Sequence, residues 1–314
     1  MVVVGTWNLE NLVRPGDDAG PSDDAAYQAK LGALVGVINR LAPDVLAVQE
    51  VGDPEALADL TGKLNGSWHT ELSTFPDDRQ IRVGFLSQHP LSDVRHLRDF
   101  PARLAAVQVA DDGTTIDAMG RGALRVRITV AGHELDLVTC HLKSKLLTFP
   151  GGRFSTDDEG ERARVGAYAL YRRAAEAVTV RAAADELLNG HGDERAVIVF
   201  GDLNDEPLAA TTQILLGPPG SEIGTPGFPR PDQGDPRRLW NLAPLIPEQR
   251  RFTRVFRGRK ELIDHILVSH ALVTRVTEVD TGDVQPPSIG DVPTARRDEP
   301  ASDHAPVVAR FDLD

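Results

Sequence analysis

Two kinds of apolar pattern alternate along the chain. Unbroken apolar runs end abruptly in polar clusters, and longer stretches repeat their apolar positions every three to four residues. Val2 to Leu9 is of the first kind, with Asn8, Glu10 and Asn11 at its end, and predicts a strand. After a loop rich in Gly, Pro, Asp and Ser from Arg14 to Asp24, Ala25 to Asn39 sets Leu31, Leu34, Val35 and Ile38 on one stripe. That spacing predicts a helix. Val45 to Val48 is a short strand running into Gln49 and Glu50, and Pro54 opens a second helix through about Leu64. Ile81 to Ser87 reads as a strand, His89 to Arg103 as a loop or edge region, and Leu104 to Val109 as a strand before an Asp-Asp-Gly turn. Ala123 to Val130 and Leu135 to Leu142 flank Gly132 with a period of two, which predicts an antiparallel hairpin. Lys143 to Gly160 is a polar loop, and Glu161 to Leu188 is a long alanine-rich helix closed by Asn189 and Gly190. Pro207 to Leu216 reads as a short helix, and Ile263 to Val268 and Ala305 to Phe311 as strands. Gly217 to Arg237 and Asp280 to Pro300 are loops rich in Gly and Pro.

Ala196 to Glu206, AVIVFGDLNDE, organises this pattern. Its five apolar residues predict a strand buried on both faces, and its end carries Asp202, Asn204, Asp205 and Glu206. Asp202 and Asn204 share a side if the extended backbone continues; the competing reading is an Asx turn that caps the strand. The same motif of a polar group beside an apolar run recurs at Asn8, Glu50, His141, Asp264 with His265, and Asp303 with His304. Six such ends suggest one cleft. Glu50, Asp303 and Asn8 offer hard oxygen ligands that suit Mg2+ or Mn2+, with Ca2+ an alternative. An acid beside a histidine orients the ring and raises its basicity.

Charge narrows the picture. The 34 basic and 47 acidic residues leave a formal net charge of -13, so a phosphate-bearing substrate has to be handled locally. Cys140 is the sole cysteine, which excludes an intrachain disulfide and suits a reducing compartment. Strand alternation sends Cys140 and His141 to opposite faces, which makes Cys140 a core residue rather than a nucleophile. The start MVVVGTWNLEN lacks a basic segment and a long apolar one, and no run reaches membrane-spanning length. The expected location is cytoplasmic, or secreted if a leader has been trimmed. Oligomeric state is not indicated.

The set TWNLEN, VQE, CHLKSK, GDLND, IDHILVS and SDHAP, spread from residue 6 to residue 306, resembles the endonuclease/exonuclease/phosphatase superfamily. That group includes pancreatic-type deoxyribonuclease, abasic-site endonucleases, sphingomyelinases and inositol-polyphosphate phosphatases. The resemblance implies an α/β (α+β) fold, a two-layer mixed β-sandwich flanked by helices, as one catalytic domain over residues 1–314. It implies that Glu50 is the principal metal ligand, with Asn8 and Asp303 near the same ion. Asp202 then orients or deprotonates the attacking water, and Asn204 positions phosphate. His304 is implied as the base-side or phosphate-binding histidine with Asp264 as its orienting carboxylate, and His141 as a phosphate ligand that helps the leaving group. The implied reaction is metal-dependent hydrolysis of a phosphate ester, with a phosphodiesterase or nuclease placed ahead of a phosphomonoesterase on a sugar, inositol or nucleotide phosphate. A non-catalytic binding protein on the same fold is the third reading.

The substrate is less legible. Lys143 and Lys145 are solvated lysines or phosphate contacts. Arg254, Arg257 and Arg259 belong to a basic run, Arg250 to Lys260, with Phe252 and Phe256 interleaved. That run serves nucleic acid, or is a hairpin with its phenylalanines in the core and its arginines in water. Leu146, Leu147 and Phe149 form a candidate apolar tip. Nucleic acid stands slightly ahead of a small metabolite as the partner.

Overall fold

The computed structural model describes residues 1–16, 20–292 and 295–314. The predicted loops Arg14 to Asp24 and Asp280 to Pro300 lie partly outside the described residues. The first half runs β1 (Val2–Leu12), α1 (Asp24–Leu41), β2 (Val45–Val51), α2 (Pro54–Thr61), β3 (His69–Leu72), β4 (Arg82–Ser87) and β5 (Ser92–Asp99). A small ribbon of β6 (Val107–Gln108) and β7 (Thr115–Ile116) leads into the long hairpin β8 (Ala118–Val130) and β9 (His133–His141). Then come α3 (Glu159–Leu188), β10 (Val197–Asp202), α4 (Ala210–Leu216) and β11 (Leu239–Asn241). The chain finishes with β12 (Arg254–Phe256), β13 (Arg259–Glu261), β14 (Asp264–Ser269), α5 (His270–Val273), β15 (Val276–Asp280), β16 (Ser288–Ile289) and β17 (Val307–Phe311).

Two six-stranded mixed sheets stack face to face, in the orders β15-β17-β1-β2-β4-β3 and β11-β14-β10-β9-β8-β5. The apolar runs are unbroken because each central strand is buried on both sides. Ile198 and Phe200 of β10 point between the sheets, where Phe200 meets Phe85 edge to face at 6.1 Å. Val197 and Val199 point the other way and pack with Ala177, Val180 and Ala184 of α3. The first sheet repeats the scheme: Val45 and Ala47 face inward, while Leu46 and Val48 meet Leu31, Leu34 and Ile38 of α1. The layers are therefore helix, sheet, sheet, helix.

The helices start where capping chemistry allows. Asp23 accepts from the Ala26 amide, Asp53 from Ala56 ahead of Pro54, and Asp158 from Gly160 and Glu161. The short helix expected from Pro207 begins later, at Ala210, and the second helix ends at Thr61 rather than Leu64. His89 to Arg103 contains a full strand, β5, on the outer edge of the second sheet. Its side chains are mostly exposed, so the sequence shows no apolar face there. Leu104 to Val109 supplies only the two residues of β6. Its Leu104 and Val107 pack half-buried against the α3 layer instead.

Candidate active site

The polar ends meet because of strand direction. Each sheet has a parallel pair at its centre, β1 with β2 and β9 with β10. Parallel strands finish at the same edge, so Asn8 and Glu50 leave one sheet where His141 and Asp202 leave the other. Antiparallel neighbours start at that edge. Asp264 opens β14 directly opposite Asp202, and His304 lies three residues before β17. A cleft of about 740 Å3 opens there, lined by Asn8, Glu50, His141, Asp202, Asp303 and His304. Asn204 also lines it.

Backbone irregularities aim these groups. Glu50 has φ 60°, and Glu10 and Asn11 have φ 50° and 53°. The β1–β2 register shifts between Asn8 and Leu12 at the same place. Plain alternation would send Gln49 and Glu50 to opposite faces; the left-handed turn lets both serve. Gln49 is buried beneath the cleft and bridges the sheets, donating to Thr6 at 3.0 Å and Thr139 at 3.1 Å. Gly201 has φ 147°, and a Cβ there would lie 2.0 Å from the Cys140 carbonyl oxygen, so only glycine lets the GDLND loop approach β9. Asn204, at φ 53°, leaves the extended path, and its amide donates to Asp202 Oδ1 at 2.9 Å. The Asx turn and the shared cleft thus coexist.

Asp202 is the hub. Its Oδ2 accepts from Asn8 Nδ2 at 3.1 Å and lies 3.4 Å from His141 Nε2 and 3.9 Å from His304 Nε2. Burial, and then the charge of Asp264, raise its affinity for a proton well above the usual carboxylate range. His304 Nδ1 meets Asp264 Oδ2 at 2.7 Å, and Asp264 is fully buried. Burial alone would lower the His304 pKa; the carboxylates of Asp264, Asp303 and Asp202, with Asp264 foremost, together outweigh it and push the ring up to about 10. His141 goes the other way. Burial, followed by the nearby Arg121 and His304, holds it well below its ordinary value. One imidazolium and one neutral imidazole therefore flank the same carboxylate. Trp7 Nε1 donates to the His304 carbonyl at 2.8 Å, and Ser302 Oγ donates to the Asn8 carbonyl at 2.7 Å while accepting the His304 amide at 3.0 Å.

The Asp264–His304 pair makes a stability prediction. The folded-state value of His304 lies above its unfolded value near 6.5, so its stabilisation is fully present below that pH and is lost as pH rises through about 10. Urea unfolding in EDTA is expected to show the parent's advantage over His304→Gln shrinking between pH 6 and pH 10. An advantage independent of pH would remove the ion pair.

The model of the endonuclease/exonuclease/phosphatase family matches residues 5–304. The chain belongs to this family. Among solved structures, a mannosyl-6-phosphatase of Bacteroides thetaiotaomicron aligns over 100% of both chains with 13% identity and a TM-score of 0.60. The human Nocturnin catalytic domain with bound sulfate aligns over 99% of this chain and 94% of its own, at 15% and 0.58. An AP endonuclease from Archaeoglobus fulgidus aligns over 100% of both, at 16% and 0.57. At such identities these structures share the fold. A comparison with curated protein sequences returns no match.

Within this family fold, two donor sets could hold a divalent ion. Asp202, Asp264 and His304 offer atoms within 4.8 Å of one another. Within that set, His304 Nδ1 and Asp264 Oδ2 are already joined to each other at 2.7 Å. Glu50, Asn8 and Asp303 line the same cleft and offer only oxygen as ligand atoms, a chemistry that suits a hard cation, although Asn8 Oδ1 also accepts the Glu10 amide at 3.0 Å. Glu10 was visible in sequence only as a strand-end acid. Arg296 donates to both Glu10 oxygens at 2.9 and 3.2 Å, and Glu10 Oε2 also accepts the Asp303 amide at 2.8 Å.

The predicted basic residues divide. Lys143 Nζ turns back onto Ser144 and the Leu146 carbonyl, while Lys145 lies 3.5 Å from Asp205 and lines the cleft. Arg254, Arg257 and Arg259 also line it, on the β12–β13 hairpin. The Arg254 backbone bridges to His304, so the hairpin supports the site as well as its rim. Phe252 is buried as the hairpin reading expected, but Phe256 lines the cleft. In the expected apolar tip Phe149 is buried, and Phe154 is the exposed aromatic. His265 packs away from the cleft, with Nε2 2.9 Å from the Asp205 carbonyl oxygen.

Arg173 of α3 carried no sequence signal, yet it ties two motif loops together. It is buried, with Nε 2.8 Å from Asp205 Oδ2 and Nη1 3.0 Å from the Lys143 carbonyl oxygen. Arg173→Met is expected to cut kcat on a small phosphodiester roughly 10-fold, as loss of a supporting contact does, with KM nearly unchanged and partial rescue by Arg173→Lys. Steady-state kinetics with both variants decides it; unaltered kcat in a less stable Met variant would make the contact purely structural.

Proposed function

We propose that this chain is a divalent-metal-dependent phosphodiesterase that hydrolyses its substrate by in-line attack of water, all 314 residues working as one catalytic unit. The observation that carries this reading is the crowding of Asn8, His141 and His304 around a single oxygen of Asp202. That oxygen sits where an attacking water needs a partner for its proton. Asp202 orients the water, and Asn8 keeps the carboxylate turned toward it. His304, charged through Asp264, donates to a nonbridging phosphate oxygen. Neutral His141 and the Asn204 side-chain carboxamide, whose Nδ2 is oriented by a 3.0 Å bond to the Leu142 carbonyl, complete the cradle. Charge builds on these oxygens as water attacks, and donors already in place stabilise it without reorganising. Glu50, Asn8 and Asp303 would hold Mg2+ or Mn2+, which supplies Lewis-acid neutralisation of the phosphate when bound. No covalent nucleophile is needed: Cys140 is fully buried and faces α3.

A mannosyl-6-phosphatase and an AP endonuclease share the fold, so a monoester remains the alternative substrate. Turnover of bis-p-nitrophenyl phosphate against p-nitrophenyl phosphate, with Mg2+, Mn2+, Ca2+ or EDTA, separates them. The diester is expected to be the faster substrate. A faster monoester would reassign the enzyme as a phosphomonoesterase.

A further inference from the structure

We propose that the flank of the cleft beyond His141 is a second phosphate site, formed by Arg79, Arg121 and Arg172. The natural substrate then carries two phosphate groups, one over Asp202 and one among these arginines. This rests on the phosphoester reading above and names the substrate class for it.

A cavity of about 740 Å3 continues the catalytic cleft and is lined by Arg79, Arg121, His141, Lys143, Ser144 and Arg172. His141, Arg79 and Arg121 line the catalytic cleft too, so the spaces are continuous. The three arginines arrive from different elements, the loop before β4, the strand β8 and the helix α3. Arg121 and Arg172 are anchored by hydrogen bonds through Nε, and Arg79 is drawn to the same acid as Arg121 by charge at longer range. Arg121 Nε lies 2.8 Å from Asp77 Oδ2, Arg79 Nε 3.7 Å from the same oxygen, and Arg172 Nε 3.0 Å from Glu176 Oε1. Among the described residues nothing engages their terminal nitrogens. Those are the two parallel donors that fit a phosphate.

The anchors are themselves fixed. Asp77 Oδ1 accepts the amides of Arg79 and Ile81. Glu176 is buried and accepts the amides of Gly120 and Lys143. The guanidinium of Arg172 lies across Gly120, where a Cβ would come within 1.3 Å of its Nη2. Only glycine leaves that path open, and it sets Arg172 beside Arg121. The forks of Arg121 and Arg172, held this way, lose little freedom on binding an anion. The acids lining this cavity are Glu10, Asp77, Asp78 and Glu176, against Arg79, Arg121, Lys143, Arg172, Arg296 and Arg297. The Arg254–Arg259 rim differs: Arg257 pairs with Asp291 and Arg259 with Glu261, and their side chains are 66% and 74% exposed. On a chain of net charge -13, the Arg79–Arg121–Arg172 flank is the better-built anion site.

The test is calorimetric titration with inorganic phosphate in EDTA, comparing the parent with an Arg79→Gln/Arg172→Gln double variant. Both side chains are partly exposed, and circular dichroism checks that the variant is folded. The double variant is expected to bind at least 10-fold more weakly. Absence of phosphate affinity in the parent, or equal affinity in both proteins, overturns the second site whatever the hydrolysis assays give. Two substrate pairs then identify the source of the second phosphate. These are pdTpdT against dTpdT, and a hexose 1,6-bisphosphate against a hexose 6-phosphate. One pair is expected to favour its doubly phosphorylated member at least 10-fold in kcat/KM, with that ratio collapsing in the double variant. Ratios near one in both pairs, in an enzyme that hydrolyses bis-p-nitrophenyl phosphate, overturn the second site alone. Failure to hydrolyse any ester overturns the phosphoesterase reading, and the titration still decides the second site.

Discussion

Glu50→Ala is expected to lower turnover by roughly 100- to 1,000-fold at millimolar Mg2+, the range seen when a group stabilising transition-state charge is removed. Glu50 stands at the cleft edge, turned there by a left-handed backbone, and its Oε2 accepts the Asn11 amide at 3.1 Å. The carboxylate is thus aimed and held, and its other oxygen, Oε1, lies 4.0 Å from His141 Nε2 inside the cleft. Asp303→Ala should behave similarly. High Mn2+ should restore part of the activity of either variant, because excess ion offsets a weakened site by mass action. Ion titration of the isolated proteins gives a second reading free of turnover: the variant should bind Mn2+ more weakly than the parent. Equal affinity and equal turnover would remove Glu50 from the ion site.

His304→Ala is expected to lose at least roughly 100-fold in kcat, in line with loss of a positioned proton donor. Asp264→Asn should also slow turnover while the fold persists, because an amide cannot hold the ring charged. The effect is expected in kcat more than in KM, since the charge on His304 matters most as the phosphate oxygens gain charge. Normal turnover by both variants from pH 5 to pH 9 would exclude the pair.

How legible was this in the sequence? The central strands were plain, because burial on both faces leaves an unbroken apolar run that stops where the cleft begins. The motif residues followed, since Asn8, Glu50, His141 and Asp202 stand where such runs stop, and Asp264 and His304 stand where antiparallel runs begin. Edge strands were not legible: β5 is mostly exposed and β3 has no buried residue, so neither shows an apolar face. The supporting charges were also hidden. Arg172, Arg173 and Glu176 sit in an alanine-rich helix where charges ordinarily face water, yet Arg173 and Glu176 are buried. Arg79 and Arg121 lie far apart in sequence, and only Asp77 brings them together. The basic run from Arg250 was conspicuous, but several of its charges are spent on local acids: Arg250 on Asp280 and Asp283, Arg257 on Asp291 and Arg259 on Glu261. Density of charge in sequence did not measure charge available to a ligand.

The central claim is that Asp202 and a divalent ion together hydrolyse a phosphate ester. It is tested most directly by release of p-nitrophenol from bis-p-nitrophenyl phosphate by the parent and by Asp202→Asn, with Mg2+ or Mn2+, with EDTA, and after metal is restored. The parent is expected to turn over with metal, to stop in EDTA and to recover on re-addition, while Asp202→Asn stays at least roughly 100-fold slower throughout. Turnover that survives EDTA, or that is unchanged in Asp202→Asn, would contradict the account.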